Sequence, residues 1–304
     1  GSAGSIVAFR DYADTWDTNA VTVTPNGSDK IGGTADNAVL GTEGQSVTLI
    51  FTDSTKGWLD IHDSTSNVKG AQFIAATGGT VTTVDTNFKV HTFTSPGTFC
   101  VSSAGNLAGS NSVSYMVVAG GGGTDKGGPG STGGGGGGGF REGLGVNDSY
   151  TGSPLRATTG IPVTATGFPI TVGAGGTGGP APGPASAATQ GSSSIFSSIT
   201  SAGGGKSSGD GGSGGGGPTV NAPGQSPPQK GTGNTPPVSP PQGSTGGFGL
   251  STCGPGNPFI YRGGGGGGAT AVGADASPSA GGAGGAGATT SINGSPTSFS
   301  GGGG

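Results

Sequence analysis

Seven consecutive glycines, Gly133 to Gly139, leave a length of chain with no side chain to bury, and the sequence repeats the device. Gly120 to Gly123, Gly214 to Gly217, Gly263 to Gly268 and Gly301 to Gly304 are further blocks. Such blocks exclude a conventional core there, because side-chain burial is the main force that offsets backbone entropy, and glycine loses the most of that entropy. They also argue against helix, since each Gly costs about 1 kcal/mol in one. Of the 76 glycines, 14 lie in residues 1–118 and 62 in residues 119–304. Charges divide the other way, with 15 of 26 before residue 119. The chain therefore has two kinds of region, with a boundary at Ala119.

Residues 1–118 read as short β-strands. Val21-Thr22-Val23 alternates and stops at Pro25-Asn26-Gly27, a turn signal. Val47-Thr48-Leu49-Ile50-Phe51 is the strongest strand, expected to return as Trp58-Leu59-Asp60-Ile61-His62 in a hairpin. Phe88-Lys89-Val90-His91-Thr92-Phe93 is expected to turn at Ser95-Pro96-Gly97 and pair with Thr98 to Val101. Ser112 to Val118 then leads into glycine. Residues 1–70 and 71–118 are read as two small β-modules, each near the lower size limit for an independent core.

Residues 119–304 have three readings. A flexible spacer is one, since the segment offers few apolar groups. Collagen fails, because the glycines come in blocks rather than in a Gly-X-Y register. The third is a bundle of polyproline-II-like (polyglycine-II) helices. These have three residues per turn and no internal hydrogen bonds, so their backbone groups must bond sideways. A helix surrounded by others must then be all Gly. Gly133 to Gly139 fits that role, spanning about 22 Å. Gly281-Gly282-Ala283-Gly284-Gly285-Ala286-Gly287 fits a helix on the bundle's face. The phrase Ser194-Ile195-Phe196 to Ile199 favours order, since a spacer needs no such residues. The expected fold is all-β plus polyglycine-II, a sandwich with irregular Pro-rich loops.

Motifs of chemistry are weak. Gly173-Ala174-Gly175-Gly176-Thr177-Gly178 follows a strand and matches a dinucleotide fingerprint, but Pro180, Pro182 and Pro184 forbid the helix that motif needs. Gly205-Lys206-Ser207 lacks the upstream Gly of a phosphate loop, where Thr200 stands. Asp60, His62 and Asp63 read as the solvated face of a hairpin, with Leu59 and Ile61 buried opposite. His91 has no visible partner. The Asn-x-Ser sequences at Asn26, Asn147 and Asn293 read chiefly as turns. Cys100 and Cys253 lie too far apart in sequence for a local metal knuckle. Two isolated thiols and a single disulfide both remain open. No metal site, cofactor or enzymatic constellation is expected.

Composition removes other classes. A net charge of −4 with scattered Lys and Arg argues against nucleic acid as a partner. No apolar run approaches a membrane span, so no membrane insertion is expected. No secretory leader is visible, and the chain opens Gly1-Ser2 without Met, as a fragment would. Function is then expected in loops between glycine runs. Phe140, Arg141, Tyr150 and Arg156 form one candidate binding set; Phe259, Tyr261 and Arg262 form another. Aromatics and Arg are favoured at binding hot spots. The same aromatics would also serve as plugs where glycine leaves voids at the bundle ends.

Several phrases resemble a known family. Asn26-Gly27-Ser28-Asp29-Lys30-Ile31-Gly32-Gly33-Thr34-Ala35-Asp36, with Lys56-Gly57-Trp58-Leu59, resembles a small module of bacteriophage tail fibres. Ala76-Thr77-Gly78-Gly79-Thr80, Gly97-Thr98-Phe99 and Tyr115-Met116-Val117-Val118-Ala119-Gly120-Gly121-Gly122 are similar to the glycine-rich domain of phage and marine-virus tail fibre proteins. Ser198 to Gly205 and Gly233 to Gly243 fit the same family. The resemblance implies a virion or extracellular protein that attaches to a host-surface receptor, either a glycan or an outer-membrane protein. It implies other virion or fibre subunits as partners and a homo-oligomer, a trimer or a fibre. A structural subunit of a self-assembling fibre is the competing expectation. Ice binding and enzymatic activity rank below both.

Overall fold

The computed structural model describes residues 1–63, 72–106, 109–125, 132–145, 148–179, 188–219, 229–253 and 259–304. Asn147 and the side chains of Asp63, Cys253 and Phe259 lie outside that description. The fold is all-β, with several small sheets and no helix among the described residues. The chain divides into two compact units. The first comprises Gly1–Ala76, Val101–Ser112 and Pro162–Thr166. The second comprises Thr77–Cys100, Val113–Ile161 and Gly167–Gly304. Residues 71–118, read from sequence as one module, are shared between them.

Alternation builds the first unit. In the strand Ser46–Asp53, Val47, Leu49 and Phe51 are buried, while Thr48 and Ile50 are half exposed, as a period of two dictates. Ile6–Arg10 and Gly57–Asp63 flank it antiparallel. Ile31, Ala38, Leu40, Val47 and Leu49 form the core, with Trp16 and Trp58 packed against it. Gly57 closes the hairpin with φ 73°, and a Cβ there would overlap the Lys30 carbonyl. Asp11 ties down the preceding loop, its carboxylate accepting the N–H groups of Trp16 (3.0 Å) and Gly44 (3.1 Å). Burial pushes this carboxyl up, but backbone N–H groups from Trp16, Thr15, Gly44 and Ala13 hold it below the ordinary range.

One expectation fails here. Ile61 is 59% exposed rather than buried opposite His62. Thr48 pairs with His62 and Leu49 with Asp60, so Ile61 is the extra residue of a bulge.

A second correction concerns pairing. Phe88–Thr92 pairs with Thr80–Val84, the strand before it, rather than with the strand after it. Asp85 and Thr86 adopt φ 47° and 67° in the connecting turn. The next strand, Gly97–Ala104, pairs through Gly97 to Cys100 with Gly167–Thr171. That strand pairs in turn with the hairpin Ser194–Phe196 and Ile199–Ser201. Further along, Tyr115–Val118 lies antiparallel to Phe140–Gly143, whose Glu142 and Gly143 pair in parallel with Arg156 and Ala157.

The glycine blocks of the second unit bond sideways. From Gly263 to Ala269, successive N–H groups take different partners. Gly264 and Gly267 donate to Gly217 and Gly214; Gly265 and Gly268 donate to Ala274 and Ala271; Gly266 and Ala269 donate to Gly303 and Ser300. The carbonyls follow the same rotation. Gly263 and Gly266 accept from Gly282 and Gly285; Gly264 and Gly267 from Gly134 and Gly137; Gly265 and Gly268 from Gly247 and Ser244. Each neighbour is met twice, three residues apart. A Cβ on Gly264, Gly265 or Gly266 would overlap the carbonyl oxygen of Gly247, Ala283 or Gly135. None of these glycines has positive φ, so it is the missing side chain that the packing uses. Side-chain burial enters mainly at the margins, where Phe140 packs on Ala269 and Ala288.

Candidate functional site

Hydrogen-bond register sorts the second unit into two ends. Gly139 bonds to Ala202, Phe140 to Gln242, and Val118 lies opposite Phe140. These residues and their strands form one end. At the other end, a Cβ on Gly133 would meet Gly216, and one on Gly263 would meet Thr132. Gly217 adjoins Gln229 and Gly249 there.

The first candidate set lies at the strand end, around a buried acid. Glu142 is 1% exposed. Its carboxylate accepts the Ser153 N–H at 2.8 Å and the Thr290 hydroxyl at 2.5 Å. No ion pair to it occurs among the described residues. Tyr150 stands beside it, half buried, its hydroxyl 3.4 Å from the Gly143 carbonyl. Burial pushes the Tyr150 phenol well above its usual range, and the Glu142 charge pushes it the same way. Ser114 donates to Asp148 and accepts the Gly145 N–H at 2.7 Å. Phe140 is fully buried and fills the space over Ala269 and Ala288. It presents no surface to a partner. Arg141 faces Val117 across the strand pair, and Arg156 lies over Gly152; both are half buried.

The second set lies at the opposite end. Leu250–Cys253 and Phe259–Arg262 form a hairpin with Leu250 opposite Arg262 and Ser251 opposite Tyr261. Tyr261 and Arg262 are half buried. The Arg262 Nε is buried and has no partner among the described residues. Sequence reading missed three residues beside this hairpin. Phe248 is 37% exposed, and the Lys230 ammonium sits 4.1 Å from its ring centroid, a cation–π distance. Asp275 accepts the Phe248 N–H at 2.7 Å. Their one signal is position, each flanking a glycine or Pro-rich phrase. Of the two cysteines, Cys100 is exposed. No group of three or more His, Cys, Asp or Glu suited to a metal occurs among the described residues. No helix among them is long and apolar enough to cross a membrane.

A family model for a glycine-rich domain matches residues 92–304, and the chain belongs to that family. No curated protein and no solved structure matches it.

Proposed function

We propose that this chain is a non-enzymatic attachment protein of the tail-fibre adhesin kind, presenting loops from a polyglycine-II scaffold to a host-surface glycan or outer-membrane protein. The observation that carries the reading is the rotation of hydrogen bonds from Gly263 to Ala269, which repeats every three residues. A threefold screw with no internal bonds has that repeat. Backbone bonded on every side is stiff, and stiff presentation limits the entropy lost on binding. Such a scaffold carries no side-chain chemistry, so recognition falls to the segments at its ends. The Gly133 end gathers the chain around Asp125, Lys206, Lys230, Phe248, Arg262 and Asp275. In this reading the protein works on a virion or outside the cell, as a trimer or other homo-oligomer.

The fibre-subunit reading draws on the first unit, where Ile6, Tyr12 and Phe73 are 62%, 97% and 65% exposed. Exposed apolar groups of this kind serve joints between subunits. Electron microscopy of the purified protein over a range of concentrations, alongside adsorption to a panel of bacterial strains, separates the two. Discrete particles that adsorb to particular strains support attachment. Long regular filaments without strain preference sink it.

A further inference from the structure

In the glycine-rich unit, acids and bases are used differently. Asp125 accepts the Ala188 N–H at 3.0 Å, Asp210 the Thr232 N–H at 2.6 Å, and Asp275 the Phe248 N–H at 2.7 Å. Each carboxylate clips one backbone segment to another. Lys206, Lys230 and Arg262, by contrast, donate no hydrogen bond and make no ion pair among the described residues. Among the described residues, backbone amides engage the acids here, while the cations make no ion pair and Lys230 alone rests on an aromatic.

One of these cations sits on an aromatic, and a second lies on the segment adjoining it. Lys230 lies over Phe248. A Cβ on Gly264, two residues after Arg262, would meet the Phe248 backbone, so the three residues occupy adjoining segments. The Arg262 Nε is buried and makes no hydrogen bond among the described residues. A half-exposed ring with one cation resting on it and a second cation on the adjoining segment is suited to a sugar ring bearing an anionic group. The ring packs its C–H surface on the aromatic, and the anion takes charge-assisted bonds from Arg and Lys.

Resting on the attachment reading above, we infer that Lys230, Phe248 and Arg262 form a subsite for an acidic surface polysaccharide, one carrying carboxylate or phosphate. Asp125 and Asp275 lie at the same end as these cations, so the field there is close to balanced. Recognition is short-range, and the association rate should depend only weakly on salt.

The test is binding of the full chain to immobilised polygalacturonate, phosphomannan and neutral dextran, with R262Q, R262K, K230Q, F248A and, as a distant control, K89Q. Each variant is first checked for an unchanged thermal melt. The inference expects binding to at least one polyanion and none to dextran. It expects a loss of about tenfold or more for R262Q and for K230Q, a smaller loss for R262K, a clear loss for F248A and none for K89Q. Preference between the two polyanions identifies the anion. Failure to bind either, or equal binding by every variant, overturns the inference. Adsorption to bacterial strains is read in parallel. Cells bound but polyanions ignored would reject the acidic subsite and leave attachment standing. Polyanion binding with no strain adsorbed would reject attachment instead.

Discussion

Gly57 and Gly266 belong to regions built on different principles. Gly57 turns a hairpin at φ 73° in a unit whose Val47, Leu49 and Leu40 make an ordinary core. There glycine supplies a backbone angle, and side chains supply the cohesion. Gly266 has no unusual φ; its place is fixed by the Gly135 carbonyl lying where a Cβ would be. In that region the backbone is the core, and cohesion comes from lateral hydrogen bonds satisfied in rotation. One residue type therefore serves a turn at Gly57 and close packing at Gly266. Substitutions at glycine should separate the two uses.

The largest effect is expected from Gly266→Val. A branched side chain would displace the Gly135 segment and break bonds on several sides, at a cost above about 3 kcal/mol. Trp16 and Trp58 both lie in the first unit, so tryptophan fluorescence should still report a folded first unit while circular dichroism shows the loss. Leu49→Ala is the converse. It should cost about 2–5 kcal/mol in the first unit, read by the same tryptophans. Glu142→Ala should cost about 1–3 kcal/mol, measured by chemical denaturation, because it leaves the Ser153 N–H and the Thr290 hydroxyl without their acceptor.

The units should also differ in their response to pH. Asp11 is depressed in the folded state, as is Asp53, which the N–H groups of Lys56 and Thr55 hold down against burial. Stability from a depressed carboxylate is present above its unfolded value near 4 and lost as pH falls through the folded value. The first unit should therefore weaken below about pH 4. Tyr150 is raised by burial and by Glu142, and Tyr115 chiefly by burial. Their contribution is present below about pH 10 and lost as pH rises beyond it, so the second unit should weaken in alkali. Tyr150→Phe should blunt that loss in melts followed by circular dichroism.

The smallest effect sharpens the comparison most. At Gly175 the nearest atom to an added Cβ is 3.8 Å away, and φ is not positive. Gly175→Ala should change stability by less than about 0.5 kcal/mol in a denaturant titration, although it sits in the same kind of glycine phrase.

Much of this contrast is legible in residue order. The strand Ser46–Asp53 and its return at Gly57 follow from alternation and a local turn, and the glycine blocks point to backbone contact. Other features are hidden because they depend on distant partners. Ser95-Pro96-Gly97 looks like a hairpin turn, but Gly97 to Cys100 pairs with Gly167 to Ile170. The true hairpin turns over Asp85 and Thr86, which lack the usual Asn-Gly signature. Phe140 looks like a loop aromatic until Ala269 and Ala288, far along the chain, leave room for it. Lys230 and Phe248 carry no motif; only the folding of glycine runs side by side brings them together.

Amide hydrogen exchange across Gly133 to Gly139 and Gly263 to Gly268 tests the central claim most directly. If the backbone of these runs is the core, the bonded amides of Gly134, Gly136, Gly137, Gly139 and Gly264 to Gly268 should exchange as slowly as those of Val47 to Phe51, despite having no side chains to shield them. Exchange at the rate of an unstructured peptide would contradict the account and make the glycine region a spacer.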